Sequence, residues 1–169
     1  WESFAHRDWQ VTLTPGKHWG ARTLHDQHRG YGGFVLEHQN RRIYHAGDSA
    51  YFDGFKQIRK QCEPEIALLP IGAYHPESFR HLHMGPDEAI EAFKDLKARW
   101  LVPMHYGTFR LSFEDLDEPP RWLRHHHVQS IYPSLPLRRR RVEQQAAGLR
   151  QCTREVVVDC GEGVRLLAL

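Results

Sequence analysis

The sequence predicts an α/β fold, and the prediction depends on two observations. Strand-like and helix-like segments alternate along the chain in the order that is typical of layered α/β structures. One strand-like segment, IALLPI at residues 66–71, is apolar at almost every position, as expected for a strand buried on both faces. The predicted helices can cover only one face of such a sheet, so we expect the other face to need a different cover.

Length and composition are those of an ordinary globular domain. The chain has 169 residues, of which 40% are hydrophobic and 26% are charged, and this is enough apolar material for one core. We therefore predict a single domain over residues 1–169. The net charge of +2 is small, so we expect no nucleic-acid partner.

Two features bear on the cellular compartment. No apolar run approaches the roughly 20 residues that a membrane-spanning helix needs. The three cysteines, Cys62, Cys152 and Cys160, are widely scattered, which favours a reducing compartment over a disulfide framework. We expect a cytoplasmic protein, with a peripheral position at a membrane surface as the alternative.

The first part of the chain is predicted to form strands and then a helix. Residues 9–13 alternate polar and apolar side chains, which indicates a strand. The segments GGFVLEH at 32–38 and IYHAGD at 43–48 flank the turn sequence QNRR and predict a β-hairpin. Residues 52–61 predict a short helix with Asp53 as its N-cap.

The second part is predicted to continue the alternation of helices and strands. The segment 86–99 is expected to be a helix because Pro86 suits a first helical position and the apolar residues behind it form one stripe. The remaining predicted elements are a strand at 100–105, a helix interrupted by proline at 112–124, an irregular insertion at 125–141, a short helix at 142–150, and a closing strand pair, EVVVD and GVRLLAL.

Three residues share one placement in this predicted fold. His18, Asp48 and His105 each lie at or just past the end of a predicted strand, and each is bracketed by small or turn-forming residues. In α/β sheets, ligands bind beyond the carboxyl ends of the strands. Two imidazoles and a carboxylate at that edge suit a divalent transition metal, with zinc as the expected ion.

Each of the three has a simpler interpretation when it is taken alone. Asp48 follows a glycine, and an aspartate in that position commonly caps a turn. His18 and His105 could be ordinary loop histidines. The coincidence of three strand ends is what favours the metal site.

A series of blocks gives a more specific indication. The order KHW, GGFVLE, IYHAGDS-YFDGFKQI, IALLPIGAYHP, HMGPDEAIEAF and MHYGTFRLSFEDLDEPP resembles the family of N-acylphosphatidylethanolamine-hydrolysing phospholipase D and its bacterial metallo-hydrolase relatives. The resemblance extends from about His18 to Pro120. It implies a metallo-β-lactamase fold, an αββα sandwich of two similar halves, of which this chain would be the C-terminal half, a mixed sheet with helices on one face.

The resemblance also implies roles for individual residues. His18 would bind one Zn²⁺ ion, His105 would bind a second, and Asp48 would bridge the two and take part in catalysis. His83, in the block HLHMGP, matches a histidine that lies near the reacting phosphate in that family. It would act as a proton donor or as an electrostatic stabiliser, and the alternative is a solvated loop histidine.

One expected motif has no counterpart in this sequence. The family carries a His-x-His-x-Asp-His motif in its N-terminal half, and the similar segment HLHMGP has Gly85 where an aspartate is needed. Three ligands cannot complete two four-coordinate zinc sites. We therefore expect the missing N-terminal half, or self-association, to complete the site, and we expect this chain alone to be inactive.

The functional prediction is a zinc-dependent hydrolase, in particular a phospholipase D-like phosphodiesterase acting on a phospholipid or another phosphodiester. One alternative is a non-catalytic remnant or a half-domain that binds a partner, and another is a lactonase or nuclease on the same fold. Two further clusters have no assigned role. The run Arg138–Arg141 could bind phosphate or be a solvated loop, and the histidines at 125–127 could form an adventitious metal site.

Overall fold

In the computed structural model, which describes residues 1–19, 30–131, 156–159 and 165–168, eight strands form one mixed sheet. The strands are β1 (Ser3–His6), β2 (Trp9–Pro15), β3 (Gly32–His38), β4 (Arg41–His45), β5 (Ile66–Pro70), β6 (Trp100–Met104), β7 (Val156–Asp159) and β8 (Arg165–Ala168). Their order in the sheet is β1-β2-β3-β4-β5-β6-β8-β7. The helices are α1 (Gly54–Cys62), α2 (Pro86–Leu96) and α3 (Glu118–Ile131), with a short 3₁₀ helix at Glu77–His81. The predicted α/β class is confirmed.

The sheet joins an antiparallel part to a parallel part. β1 to β4 pair antiparallel, whereas β4, β5, β6 and β8 pair parallel. β2 runs in the same direction as β4 because both are antiparallel to β3. The carboxyl ends of β2, β4, β5 and β6 therefore lie along one rim of the sheet. Ligand sites of open α/β sheets form at such a rim.

The predicted hairpin is formed by β3 and β4. Gln39 and Asn40 connect the strands, and both have positive φ angles, 49° and 64°. Two consecutive residues with φ above zero are typical of the type I′ turn, whose twist matches that of the flanking strands. This tight turn sets the register that pairs Val35 with Tyr44.

Helix α2 begins at Pro86, as its sequence predicts, but it ends three residues before the predicted end at residue 99. Pro86 occupies the first turn, and the Gly85 N–H donates to the Glu88 carboxylate at 3.0 Å. This carboxylate satisfies one of the backbone donors that a helix leaves unpaired at its start. The helix ends at Leu96 because the next residue, Lys97, adopts a left-handed conformation with φ 49°.

The core lies between one face of the sheet and the helices. Tyr44, Leu69 and Leu101 from the strands are fully buried against Phe55 of α1 and Phe93 of α2. Burying each such side chain contributes about 1.5–3 kcal/mol to stability.

The opposite face of the sheet carries two rows of mostly apolar side chains. Neighbouring side chains in a strand point to opposite faces, so these rows alternate with the buried residues. The first row is Leu13, Phe34, His45, Leu68 and Val102, and the second is Val11, Leu36, Ile43, Ile66 and Trp100. Leu13 is 38% exposed and Phe34 is 44% exposed, in contrast with the core. The described helices therefore cover one face only, as the sequence predicts. We call these two rows the open face.

Two regions differ from the sequence prediction. β1 was not predicted, because its four exposed residues show no apolar alternation. The predicted irregular insertion at 125–141 is wrong for residues 125–131, which continue helix α3. Pro119 and Pro120 lie in the first turn of α3, where proline is tolerated, so they start this helix instead of interrupting it. Residues 132–141, with the run Arg138–Arg141, and the predicted helix at 142–150 lie outside the described residues.

The closing strand pair is confirmed, since β7 and β8 pair antiparallel and β8 adjoins β6. The helices of the described residues are all too short or too polar to cross a membrane.

Candidate metal centre

Four side chains gather at the rim where the parallel strands end. His18 follows β2, Asp48 follows β4 and His105 follows β6 directly. His83 reaches the same place from the loop that precedes α2. The strand-end rule thus brings the three predicted ligands together, and the loop adds the fourth residue.

Asp48 lies at the centre of this cluster. Its Oδ2 atom is 3.6 Å from His18 Nε2 and 3.4 Å from His105 Nε2. Its Oδ1 atom is 3.5 Å from His83 Nε2. One carboxylate oxygen therefore faces two imidazoles and the other faces a third. This arrangement suits a carboxylate that would help several imidazoles to hold metal ions.

The hydrogen bonding of His18 defines its tautomer. The Nδ1 atom of His18 lies 2.9 Å from the carbonyl oxygen of Leu82. A carbonyl oxygen only accepts hydrogen bonds, so Nδ1 carries the proton and the neutral ring presents the Nε2 lone pair to Asp48. Two acceptors then face each other at 3.6 Å. This contact is favourable only with a second proton on the ring or with a cation between the two groups.

His83 and His105 are held differently from His18. Their rings stack with centroids 5.8 Å apart and planes inclined by 18°. The Nδ1 atom of each is buried without a hydrogen-bond partner among the described residues. The backbone of His105 has φ 60°, a left-handed conformation that side chains rarely adopt. Rare conformations of this kind cluster at functional sites.

Local backbone contacts hold His18 and Asp48 next to each other. The Ser49 hydroxyl accepts a hydrogen bond from the Lys17 N–H at 3.0 Å, and the Ala50 N–H donates to the Lys17 carbonyl at 2.8 Å. Gly47 has φ 67°, and a Cβ atom there would lie 2.7 Å from the carbonyl oxygen of Gly32. The chain can therefore turn into Asp48 only with glycine at position 47.

The electrostatic environment keeps Asp48 ionised. Burial acts to raise the pKa of this carboxyl, but a hydrogen bond with His83 and electrostatic attraction to His105, His83 and His18 lower the pKa below its ordinary value. A carboxylate that stays charged while partly buried is suited to binding a cation.

The donor set and its spacing fit a divalent metal. Ligand atoms of a tetrahedral zinc ion, with bonds of about 2.0–2.1 Å, lie about 3.4 Å apart. The three contacts of Asp48 with imidazole nitrogens are 3.4, 3.5 and 3.6 Å. The ligand atoms of His18, Asp48 and His83 all lie within 4.8 Å of one another. The predicted residues therefore converge, and their metal-binding and catalytic roles stay predictions.

Sequence spacing did not indicate two features of this centre. The Leu82 carbonyl orients His18, but a backbone atom leaves no signal in residue type. His83 stands as close to Asp48 as the two predicted ligands do, although its loop position gave no reason to place it there. Only its family resemblance pointed to the site.

The chain resembles known proteins over the region that carries this centre. Residues 1–106 match the Beta-lactamase superfamily domain. The N-acyl-phosphatidylethanolamine-hydrolyzing phospholipase D 1 of Caenorhabditis elegans is 38% identical over 115 residues, which are 66% of this chain and 32% of that protein. A UPF0173 metal-dependent hydrolase of Myxococcus xanthus is 46% identical over 80 residues, which are 47% of this chain and 26% of that protein.

The fold resemblance agrees with the sequence resemblance. Igni18, a metallo hydrolase of the archaeon Ignicoccus hospitalis, has a TM-score of 0.52 and 29% identity, over 69% of this chain and 46% of that one. The matched segments span a third or less of the two curated relatives. The chain belongs to the Beta-lactamase superfamily domain family, with a metallo-β-lactamase fold and with N-acyl-phosphatidylethanolamine-hydrolyzing phospholipases D and metal-dependent hydrolases among its relatives.

Proposed function

We propose that this chain carries part of the active centre of a zinc-dependent hydrolase. The observation that carries the proposal is the position of Asp48, whose two carboxylate oxygens lie 3.4–3.6 Å from three imidazole nitrogens. His18 and His105 would each hold a metal ion, and Asp48, which lies between the two histidines, would help to hold both. Relatives named as metal-dependent hydrolases support the reaction class.

Each residue of the centre has a separate proposed role in the reaction. When bound, the metal ions would lower the pKa of a water molecule to make a nucleophile and would offset negative charge in the transition state. His18 would keep its protonation state, because the Leu82 carbonyl holds its proton on Nδ1. Asp48 would stay ionised, because its pKa is lowered. His83 would donate a proton from Nε2, or would stabilise developing charge with it.

A phosphodiester is the proposed substrate, and a phospholipid is the specific candidate. The support is the 38% identity to the phospholipase D of Caenorhabditis elegans and the blocks that end in LDEPP at residues 116–120. The centre is cationic when metals are bound, which suits an anionic phosphate group. A lactonase or a nuclease on the same fold remains the alternative within hydrolases.

We further propose that the site is completed by groups outside the described residues. Four side chains, including His83, are too few for two four-coordinate ions. The open face ends at the same rim as the metal centre, so a segment packed on that face could supply the additional ligands. An N-terminal half of the same fold is the proposed segment, and a second copy of the chain is the alternative.

The first test measures metal binding by this chain. Zinc content after dialysis should be at least one ion per chain for the wild type and for His81→Ala, a matched control because His81 is exposed and two residues from His83. His105→Ala and Asp48→Asn should lose bound zinc. Equal zinc content in all four proteins would contradict the proposed centre.

The second test measures hydrolysis of bis(p-nitrophenyl) phosphate with excess Zn²⁺. We expect weak or absent turnover by this chain alone, because the proposal requires additional ligands from a further segment. Robust turnover by the chain alone, abolished in His105→Ala, would support the hydrolase but contradict the need for a further segment.

The open face also supports a second candidate, a non-catalytic half-domain that binds a partner. Leu13 and Phe34 are more than a third exposed on that face. The zinc measurement separates the two candidates, because a partner-binding remnant has no need of Asp48 and His105 as ligands.

A further inference from the structure

Glu114 is a buried carboxylate that the proposed chemistry does not use. It is 8% exposed, and it lies in the loop between β6 and α3. Its two oxygens accept hydrogen bonds from the loop that follows β5, at residues 71–76. The Ala73 N–H donates to Oε1 at 2.6 Å and the His75 N–H donates to Oε2 at 3.1 Å.

The shape of the accepting loop explains why one carboxylate binds two of its N–H groups. Ala73 has φ 67°, a left-handed conformation that costs energy for any residue with a Cβ atom. This turn points the N–H groups of Ala73 and His75 to one side, where Glu114 receives both. The carboxylate therefore offsets the cost of the turn.

Other bonds join residues 71–76 to the loop that carries Glu114 and to the start of α3. The Phe113 N–H donates to the His75 carbonyl at 3.3 Å, and the Tyr74 hydroxyl donates to Glu118 Oε1 at 2.6 Å. Glu114 is the only one of these groups that binds two N–H donors in the opposite loop among the described residues. Its removal should therefore loosen the junction most.

The clamped loop lies directly against the backbone of His105. A Cβ atom on Gly72 would be 2.4 Å from the carbonyl oxygen of His105. The Ile71 N–H also donates to the Met104 carbonyl at 3.0 Å. A shift of the loop would thus move the turn that carries His105, a residue with a left-handed backbone.

The charge state of Glu114 agrees with this role. Burial acts to raise its pKa, but hydrogen bonds from Ser112, from its own backbone and from the N–H groups of Ala73 and His75 lower the pKa below the ordinary value. Glu114 is therefore ionised at neutral pH, and charged acceptors form stronger hydrogen bonds than neutral ones.

We propose that Glu114 is a positioning residue of the metal centre, which holds residues 71–76 against the His105 backbone and so directs the His105 ring towards Asp48. Glu114 touches no ligand atom and acts through the backbone. The inference rests on the proposed function in one respect, namely that His105 is a metal ligand. Partners that orient ligands commonly change metal affinity 10–100-fold when they are lost.

The test compares Glu114→Gln with Asp115→Asn, an exposed carboxylate in the same loop. Each protein is titrated with Co²⁺ and followed by its visible absorption spectrum, with thermal unfolding measured in parallel. Glutamine keeps one acceptor oxygen but turns an amide N–H₂ towards a backbone donor. We expect Glu114→Gln to bind Co²⁺ about 10-fold more weakly, with a changed spectrum, and Asp115→Asn to match the wild type.

A purely structural role gives a different result. Glu114→Gln would then unfold at a lower temperature, while the folded protein would keep the wild-type Co²⁺ affinity and spectrum. That result would overturn the proposal. If Glu114→Gln fails to fold, Ser112→Ala takes its place, because it removes only the Ser112 hydrogen bond to this carboxylate.

A readout without metal separates this proposal from the proposed function. Failure of the wild type to bind Co²⁺ would contradict the metal centre itself. The imidazole ¹⁵N resonances of His105, assigned with His105→Ala, then decide the positioning role. They should shift in Glu114→Gln and stay unchanged in Asp115→Asn, and unchanged His105 resonances in Glu114→Gln would overturn the proposal.

Discussion

The two faces of the sheet differ in what they pack against. On one face, Leu69 is fully buried under the helices. On the other, the neighbouring Leu68 belongs to the partly exposed row that includes Leu13 and Phe34. Both faces are apolar in sequence, yet only one has a cover among the described elements. The difference teaches that an apolar pattern predicts a requirement for burial and does not say which element provides it.

The candidate metal centre lies at the rim that the two faces share. The side chains of the covered face anchor the strands from which Asp48 and His105 emerge. The position of the centre thus depends on the core. Four predictions test this comparison.

The largest effect on the free energy of unfolding is expected from a comparison of the two faces within strand β5. Leu69→Ala should lower the free energy of unfolding by about 2–5 kcal/mol, because it leaves a cavity in the covered core. Leu68→Ala, the matched change on the open face, should cost about 1 kcal/mol or less. Urea unfolding measures both. Equal losses would show that both faces are covered to the same degree.

The next effect is the stabilisation of the folded protein by Zn²⁺ at the rim. Zn²⁺ at 100 times its Kd should raise the free energy of unfolding of the wild type by about 2.7 kcal/mol, because the ion binds only the folded state. Leu68→Ala should keep this gain and Asp48→Asn should lose it. Thermal unfolding with and without Zn²⁺ measures the difference. An equal gain in Asp48→Asn would place the ion elsewhere.

A smaller effect concerns the pH dependence of stability at the rim. Glu114 has an ordinary pKa of 4.5 that folding lowers, so its contribution is fully present above pH 4.5 and is lost as the pH falls through the lowered value. Glu114→Gln should therefore lose less stability than the wild type on acidification below pH 4.5. Unfolding free energies across that range provide the measurement, and parallel curves for the two proteins would contradict the expectation.

The smallest effect on stability is expected on the open face itself. Phe34→Ser should change the free energy of unfolding by only about 0.5 kcal/mol, since Phe34 is 44% exposed. The same change should reduce the binding of the dye ANS, which reports exposed apolar surface. Thr12→Ser, a change in a neighbouring strand, is the control. A loss of several kcal/mol in Phe34→Ser would mean that this face is packed in the isolated chain.

Sequence patterns predicted much of the fold and part of the site. The hairpin, helix α2 and the closing strands follow from local signals, namely a turn sequence, a first-turn proline and alternating side chains. His18, Asp48 and His105 were found because strand ends can be recognised locally. The prolines of α3 were misinterpreted because proline breaks a helix interior but suits a helix start, and local sequence does not say which applies.

The order of elements and the chemistry of the proposed ligands were properties of the linear chain. The sequence alone predicted two imidazoles and a carboxylate at strand ends, because this prediction requires no knowledge of long-range contacts. The contact of His83 with Asp48, the Leu82 carbonyl on His18 and the clamp of Glu114 depend on residues 35 to 64 positions apart or on backbone atoms. Such contacts arise when parallel strands bring distant loops to one rim. Local sequence does not indicate which of these loops will come into contact.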